Sequence, residues 1–243
     1  MLFFFLRMKK SAKLYLFPVP LGDENPRSSV PTNNVSVLNE VEYIVAENSK
    51  TARKWMKLLG CEKPLQDFEY AELNEHTRDN ELIEIAQPLL DGKITAYLSE
   101  AGCPAIADPG AILVEFCHSK NIPVIPLIGP SSILLALMGS GMNGQQFCFH
   151  GYLPREKSAR IKSLRELEST AAKKKQTQIF IETPYRNNHL IEDILQNLHR
   201  ETRLCIASNL SQPNQKIKTK SVEEWKKQVP NMDKIPAVFL LGK

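Results

Sequence analysis

The chain alternates short, compact apolar runs with longer stretches in which apolar residues recur every three or four positions. Runs at residues 14–17, 43–46, 95–98, 124–128, 147–149, 178–181, 204–207 and 237–241 predict strands. Most lack strict alternation, the pattern of strands covered on both faces. Between them lie helical periods. Ser49 precedes one that carries Ala52, Trp55, Met56 and Leu59 and stops at Gly60. Thr77 is expected to cap a second, with Leu82, Ile85, Ala86 and Leu89 on one face. Asp108 as N-cap, with Pro109 at the first helical position, predicts a third running through Phe116. Residues 131–138 are apolar nearly all round and predict a buried helix. Residues 156–175 and 187–198 read as two more, the first long and basic. Strand–helix alternation of this kind predicts an α/β protein.

A length of 243 residues suits one large domain or two smaller ones, each able to bury a core. The Pro-Leu-Ile-Gly-Pro stretch over residues 126–130 marks the expected boundary, giving domains at 13–128 and 129–243. Residues 1–12 are expected to be a disordered N-terminal extension, with Met8 a second possible start. Their apolar run is too short for a secretory signal, and no run approaches the ~20 residues of a membrane span. A cytoplasmic protein is expected. Five scattered cysteines without a CxxC pair fit a reducing compartment and give no zinc pattern; they are expected to be small buried apolar residues. Five histidines offer no metal spacing, so no metal is expected.

Charge changes the picture more than composition does. Residues 1–146 hold 13 basic and 17 acidic side chains, whereas residues 147–243 hold 18 and 10. A basic second half suggests a polyanionic partner met there. Arg155, Lys157, Arg160 and Arg186 are the candidate contacts.

The turn after the first strand, Pro18-Val19-Pro20-Leu21-Gly22, has one glycine, so neither a GxGxxG fingerprint nor a P-loop is present. The densest segment runs from Ser99 through Glu100, Ala101, Gly102, Cys103, Pro104, Ala105, Ile106, Ala107 and Asp108 to Pro109-Gly110. It leaves a buried strand and enters a helix, which places it at the carboxyl edge of the sheet, where α/β proteins bind ligands. Its small residues let a ligand approach the backbone. Gly129-Pro130-Ser131-Ser132 is a second strand-to-helix turn, with hydroxyls and amide groups suited to an anion or to plain capping.

Taken in order, these residues resemble the tetrapyrrole (corrin/porphyrin) methylase superfamily, and within it the bacterial small-subunit ribosomal RNA 2′-O-ribose methyltransferase branch. That branch carries S-D-A-G-x-P-x-x-x-D-P-G, matched from Ser99 to Gly110 with Glu100 for Asp. Its G-F-L-P is matched by Gly151-Tyr152-Leu153-Pro154, and its E-x-P-x-R by Glu182-Thr183-Pro184-Tyr185-Arg186. The chain departs from the branch at Asn48-Ser49-Lys50, where Asp-Thr-Arg is usual, and at Asp23-Glu24. It departs again at residues 208–212, where a charged Arg-Glu-Leu-Thr-Lys is replaced by Ser-Asn-Leu-Ser-Gln.

The resemblance implies two α/β domains of the tetrapyrrole methylase type, with S-adenosylmethionine in the cleft between them, and a homodimer. It implies cofactor contacts at Pro20, Gly22, Ser99, Ala101, Gly102, Ile106, Ala107, Asp108, Gly129, Pro130, Ser131, Ser132 and Leu153. RNA is the implied acceptor. A tetrapyrrole or other small-molecule acceptor, and a non-catalytic binding homologue, remain as alternatives. A ribose hydroxyl needs its proton removed or oriented, and Glu182, Glu47 and Glu100 are the carboxylates placed for that role. The apolar stripe Trp55, Met56 and Leu59 reads first as the core face of its helix, and as a surface for a second protomer only if its own sheet leaves part of it uncovered.

Overall fold

The computed structural model describes residues 12–22 and 26–243, and it divides after Pro130 into two compact units. The first eleven residues and Asp23-Glu24-Asn25 lie outside the described residues, and with them most of the expected extension. Ala12, the last residue of that expected segment, packs against a core cluster.

The first unit is built on five strands: β1 (Lys13–Leu16), β2 (Tyr43–Ala46), β3 (Glu69–Glu72), β4 (Ile94–Leu98) and β5 (Val124–Pro126). Their order is β3-β2-β4-β1-β5 and every pairing is parallel. Both faces are covered, because neighbouring residues of one strand serve different cores. Ile44 and Leu98 pack with Phe17, Leu38 and Met56, while Val45 and Tyr97 pack with Leu14, Leu89 and Leu113. That is why β2 and β4 read as unbroken apolar runs. The helices are α1 (Thr32–Val37), α2 (Ser49–Leu59), α3 (Asp79–Leu90) and α4 (Gly110–Ser119).

Helix α2 is fixed at both ends by its sequence. The Asn48 side chain accepts from the amides of Lys50 and Thr51, and Gly60 closes the helix at φ 90°. Trp55, Met56 and Leu59 are buried in the core, so this stripe is no surface for a second protomer. Two helix starts differ from expectation. Arg78, not Thr77, is the N-cap of α3, with Glu81 reaching back to the Arg78 amide, while the Thr77 hydroxyl accepts from Asn74 N. Pro109, not Asp108, is the N-cap of α4, and this frees Asp108 for another role.

The second unit carries β6 (Phe147–Tyr152), β7 (Thr177–Ile181), β8 (Arg203–Ser208), β9 (Lys216–Ser221) and β10 (Ala237–Gly242) in the order β6-β7-β10-β8-β9. Only β6 and β7 run parallel; the other pairings are antiparallel. Its helices are α5 (Ser132–Ser140), α6 (Lys157–Lys174), α7 (Asn187–Asn197) and α8 (Val222–Lys227). Its core joins Leu164, Phe180, Ile194, Leu204, Trp225 and Phe239. Helix α5 is not buried all round: Ala136 and Leu137 are buried, but Leu134 and Met138 are exposed. Among the cysteines, Cys117 and Cys205 are buried and the other three are half-buried; all five are free thiols.

Candidate active site

Three turns of the first unit are joined at the carboxyl edge of the neighbouring strands β4, β1 and β5. Val19 and Gly102 exchange backbone hydrogen bonds at 3.0 and 3.1 Å, tying the turn after β1 to the loop after β4. Gly102 has φ +75°, and a Cβ there would lie 3.1 Å from Leu21 and 3.3 Å from the Pro130 carbonyl. Gly129 packs so tightly that a Cβ would fall 2.2 Å from Pro18, and the Cys103 thiol lies 3.3 Å from the Pro130 carbonyl. Pro20 is buried and Gly22 half-buried beside this junction.

Asp108 shapes the middle of the loop. Its Oδ1 accepts from the Gly110 amide at 2.7 Å, the Ala105 amide at 3.0 Å and the Tyr97 hydroxyl at 3.1 Å. Its other oxygen, Oδ2, is buried and has no hydrogen-bond partner. Burial raises the Asp108 carboxyl above the ordinary range, opposed by the Gly110, Ala105 and Ile106 amides and the Tyr97 hydroxyl. Ala105 and Ala107 are held at φ 63° and 62°, conformations that alanine adopts at a cost and that mark the loop as constrained from outside. Ala101, Ile106 and Ala107 are exposed, so the outward face of the loop is small and apolar. Ser99 is buried and its hydroxyl donates to the Ala101 carbonyl.

The start of the loop is gripped from two sides. The Glu100 amide donates to Glu47 Oε2 at 2.8 Å, and its carbonyl accepts from the Trp55 indole at 3.0 Å. Burial raises the Glu47 carboxyl, with Asp108 and Glu100 adding repulsion, while the Glu100 amide holds it down. The Glu100 side chain itself is exposed.

The candidates in the second unit behave differently. Glu182 is buried, pairs with Arg186 at 2.5 Å and accepts from the Thr183 amide at 2.6 Å, so its carboxylate is already saturated. Arg186, expected to meet RNA, is thereby a partner of Glu182. Arg160 is corrected likewise: it is 7% exposed and bonded to Asp193 at 2.6–2.8 Å. Lys157 is exposed with Asp193 at 3.7 Å, and Arg155 is exposed. The Leu153 side chain belongs to the core, leaving only its main chain for a ligand. The Ser131 hydroxyl caps α5 by accepting from Leu134 N at 3.4 Å, and half-buried Ser132 begins that helix.

Tyr97 and Trp55 were missed from sequence as site residues. A signal existed for both: a buried tyrosine or tryptophan needs a partner for its polar atom, and here each partner lies on the loop.

A profile of the Tetrapyrrole (Corrin/Porphyrin) Methylases matches residues 13–226, most of the chain and all of the junction described above. The chain belongs to this family. It is a methyltransferase. A protein named Ribosomal RNA small subunit methyltransferase I from Buchnera aphidicola subsp. Acyrthosiphon pisum is 30% identical over 218 residues, covering 88% of this chain and 73% of its own. One of the same name from Halalkalibacterium halodurans is 34% identical, covering 79% and 63%. The crystal structure of the methyltransferase CobJ superposes with a TM-score of 0.64 at 16% identity, covering 96% of this methyltransferase and 94% of CobJ; it supports the fold alone. Among its described residues no helix is long and apolar enough to cross a membrane, and no cluster of His, Cys, Asp or Glu could hold a metal ion.

Proposed function

We propose that this methyltransferase transfers the methyl group of S-adenosylmethionine to a ribose 2′-oxygen of small-subunit ribosomal RNA, and that it works as a cytoplasmic homodimer. The observation that carries the reading is the combination of the welded loop at the carboxyl edge with relatives named for that RNA along most of the chain. The residues present suit such a donor. Gly102 lets the loop pack against Leu21 and the Pro130 carbonyl and so holds its outer face in place, Ile106 and Ala107 offer an apolar surface there, and the buried Asp108 carboxylate beneath keeps one oxygen without a partner. Pro20, Gly22, Gly129 and Pro130 complete the rim from the adjoining turns.

Bound S-adenosylmethionine supplies a methyl group already activated by its sulfonium. The protein therefore has to align, exclude water and manage one proton. Of the three carboxylates, Glu47 suits the proton best. Glu182 is saturated by Arg186 and Thr183, and Glu100 is exposed, whereas Glu47 is half-buried with a raised pKa and only one oxygen engaged by the Glu100 amide. With the donor bound, Glu47 would take the proton of the acceptor hydroxyl as its oxygen gains the methyl group, the methyl–sulfur bond breaking to release S-adenosylhomocysteine as a neutral thioether.

The test is incubation of the protein with methyl-labelled S-adenosylmethionine and small subunits that lack the modification. Label in the RNA, recovered in an alkali-resistant dinucleotide, is the expected result. Label absent from RNA but entering a tetrapyrrole would overturn the acceptor; no calorimetric binding of the donor up to millimolar concentration would overturn the cofactor. Light scattering that gives one chain mass, 27.5 kDa, across a tenfold dilution would overturn the dimer.

A further inference from the structure

We propose that the solvent face of α2 is the surface that holds the phosphates of the acceptor strand beside the site; the inference rests on RNA being the acceptor. Helix α2 carries four cations, Lys50, Arg53, Lys54 and Lys57, and no acidic residue. All four are exposed, and they fall on one face because positions three and four apart share a side of a helix. They lie in the half of the chain whose overall balance is acidic, so the overall charge balance conceals them.

Among the described residues no acid forms an ion pair with Lys50, Arg53 or Lys57. The Arg53 guanidinium is stacked 3.9 Å from the Tyr70 ring centroid, which orders it without neutralising it. At the far end of the helix Arg27 donates to the Leu58 carbonyl and extends the cationic face past Gly60. Nearby acids sit at the ends of this face: Glu72 accepts from the Ser49 amide at one, and exposed Glu62 follows at the other. The long helix α6 makes the contrast. It mixes Glu166 and Glu168 with its cations, and it spends Arg160 on Asp193 and Arg165 on Asn197.

Position ties the face to the chemistry. Glu47 lies two residues before α2, and Trp55, on its buried side, donates to the carbonyl of Glu100. A strand running along α2 from Lys57 towards Lys50 therefore arrives at the loop. The carboxylates of Glu47 and Glu100 repel phosphate there and leave the approach to the uncharged ribose. From Lys50 to Lys57 the helix rises about 10 Å, enough to meet successive phosphates of a single strand.

The experiment measures binding of the full-length protein to unmodified small subunits and to a mixed-sequence single-stranded RNA, as affinity against salt concentration. Neutralising Lys50→Gln, Arg53→Gln and Lys57→Gln together is expected to flatten the log–log slope by about 2, at about 0.7 per lost phosphate contact. A matched α6 variant, Lys162→Gln, Lys173→Gln and Lys174→Gln, is expected to change it by less than half as much. Reversal of charge by Lys50→Glu with Lys57→Glu leaves the Arg53–Tyr70 stack in place and is expected to weaken binding by at least ~10-fold, while calorimetric affinity for S-adenosylmethionine stays within twofold. An α2 variant with the wild-type slope would overturn this surface alone. Wild-type protein that binds neither RNA would overturn the RNA reading and this surface with it.

Discussion

The loop over residues 99–110 and the corner over residues 182–186 each carry a carboxylate placed for chemistry, yet the structure treats them in opposite ways. At the corner, Glu182 and Arg186 close on each other, Thr183 takes the remaining capacity, and the Lys234 amide donates to the Pro184 carbonyl. The Glu182 carboxylate is spent on a rigid joint, although the buried Arg186 Nε is left without a hydrogen-bond partner. At the loop, Asp108 spends one oxygen on shape and leaves the other unpartnered, and Glu47 engages one oxygen with the Glu100 amide. A pattern of residue types shows that polar groups gather in a place. Whether they are spent on each other or aimed outward is decided by hydrogen-bond partners, which no pattern displays.

The sharpest way to break this contrast is to neutralise each carboxylate in turn. Glu47→Gln keeps an oxygen for the Glu100 amide, so the fold should survive while kcat falls by about 10²–10⁴ through loss of proton removal. Glu182→Gln should do the reverse. It removes the charge facing Arg186 and should cost about 1.5–3 kcal/mol of stability, read as a lower urea midpoint, with kcat falling less than tenfold in the folded fraction. Exchanged outcomes would make the corner catalytic and the loop structural.

Breaking the other spent pair should cost more stability than Glu182→Gln. Arg160→Ala strands the buried Asp193 carboxylate and should destabilise the second unit by about 3–5 kcal/mol, as Asp193→Ala should. Were Arg160 instead a phosphate contact, RNA affinity would fall and the urea midpoint would not. Gly102→Val is a smaller test of the loop. The left-handed backbone alone costs about 1–2 kcal/mol for a residue with a Cβ, and the added atoms meet Leu21 and the Pro130 carbonyl. Donor binding should be lost by calorimetry together with that stability. The valine therefore perturbs the packing of the loop and the ligand surface together.

Much of this was legible in advance. The central strands and the α/β class follow from apolar runs, since residues buried on both faces admit no polar alternation. The two strands left unread, β3 and β9, are both edges: Glu69-Tyr70-Ala71-Glu72 and Lys216-Ile217-Lys218-Thr219-Lys220-Ser221 pair on one side only and keep charge on the other. β6 was read short because Gly151, at φ 65°, introduces an irregularity before Tyr152. The loop was found by its density of small residues and prolines. Its supports were not, because Tyr97 and Trp55 sit 11 and 45 residues from the groups they hold. Of the candidate cations of the second half, Arg155 and Lys157 are exposed, whereas charge counting could not show that Arg160 is buried against Asp193 and Arg186 is held by Glu182.

The smallest expected effect separates the two regions by pH. Burial raises the folded-state pKa of Asp108 above the ordinary carboxylate value, so the folded chain holds that proton more tightly than the unfolded one. The stability this confers is complete below the ordinary value of about 4 and is lost as pH rises through the raised one. Acidification from neutrality therefore relieves the loop. Exposed caps in the second unit run the other way: the Ser158 hydroxyl and the amides of Ser158 and Ala159 lower Glu156 to about 2, and Ser221 lowers Glu224. Their contribution is present above the ordinary value and lost as pH falls towards theirs. The urea midpoint of Asp108→Asn minus that of wild type, measured at steps from pH 7 to pH 4, reports on Asp108 together with Glu47, whose carboxyl its charge also raises. Asparagine keeps an acceptor for the Gly110 and Ala105 amides and carries no charge to bury. The variant's advantage should be largest at pH 7 and shrink steadily on acidification. A difference that grew on acidification would mean that the donors around Asp108 outweigh its burial, and that the loop, like the corner, is a set of groups already satisfied.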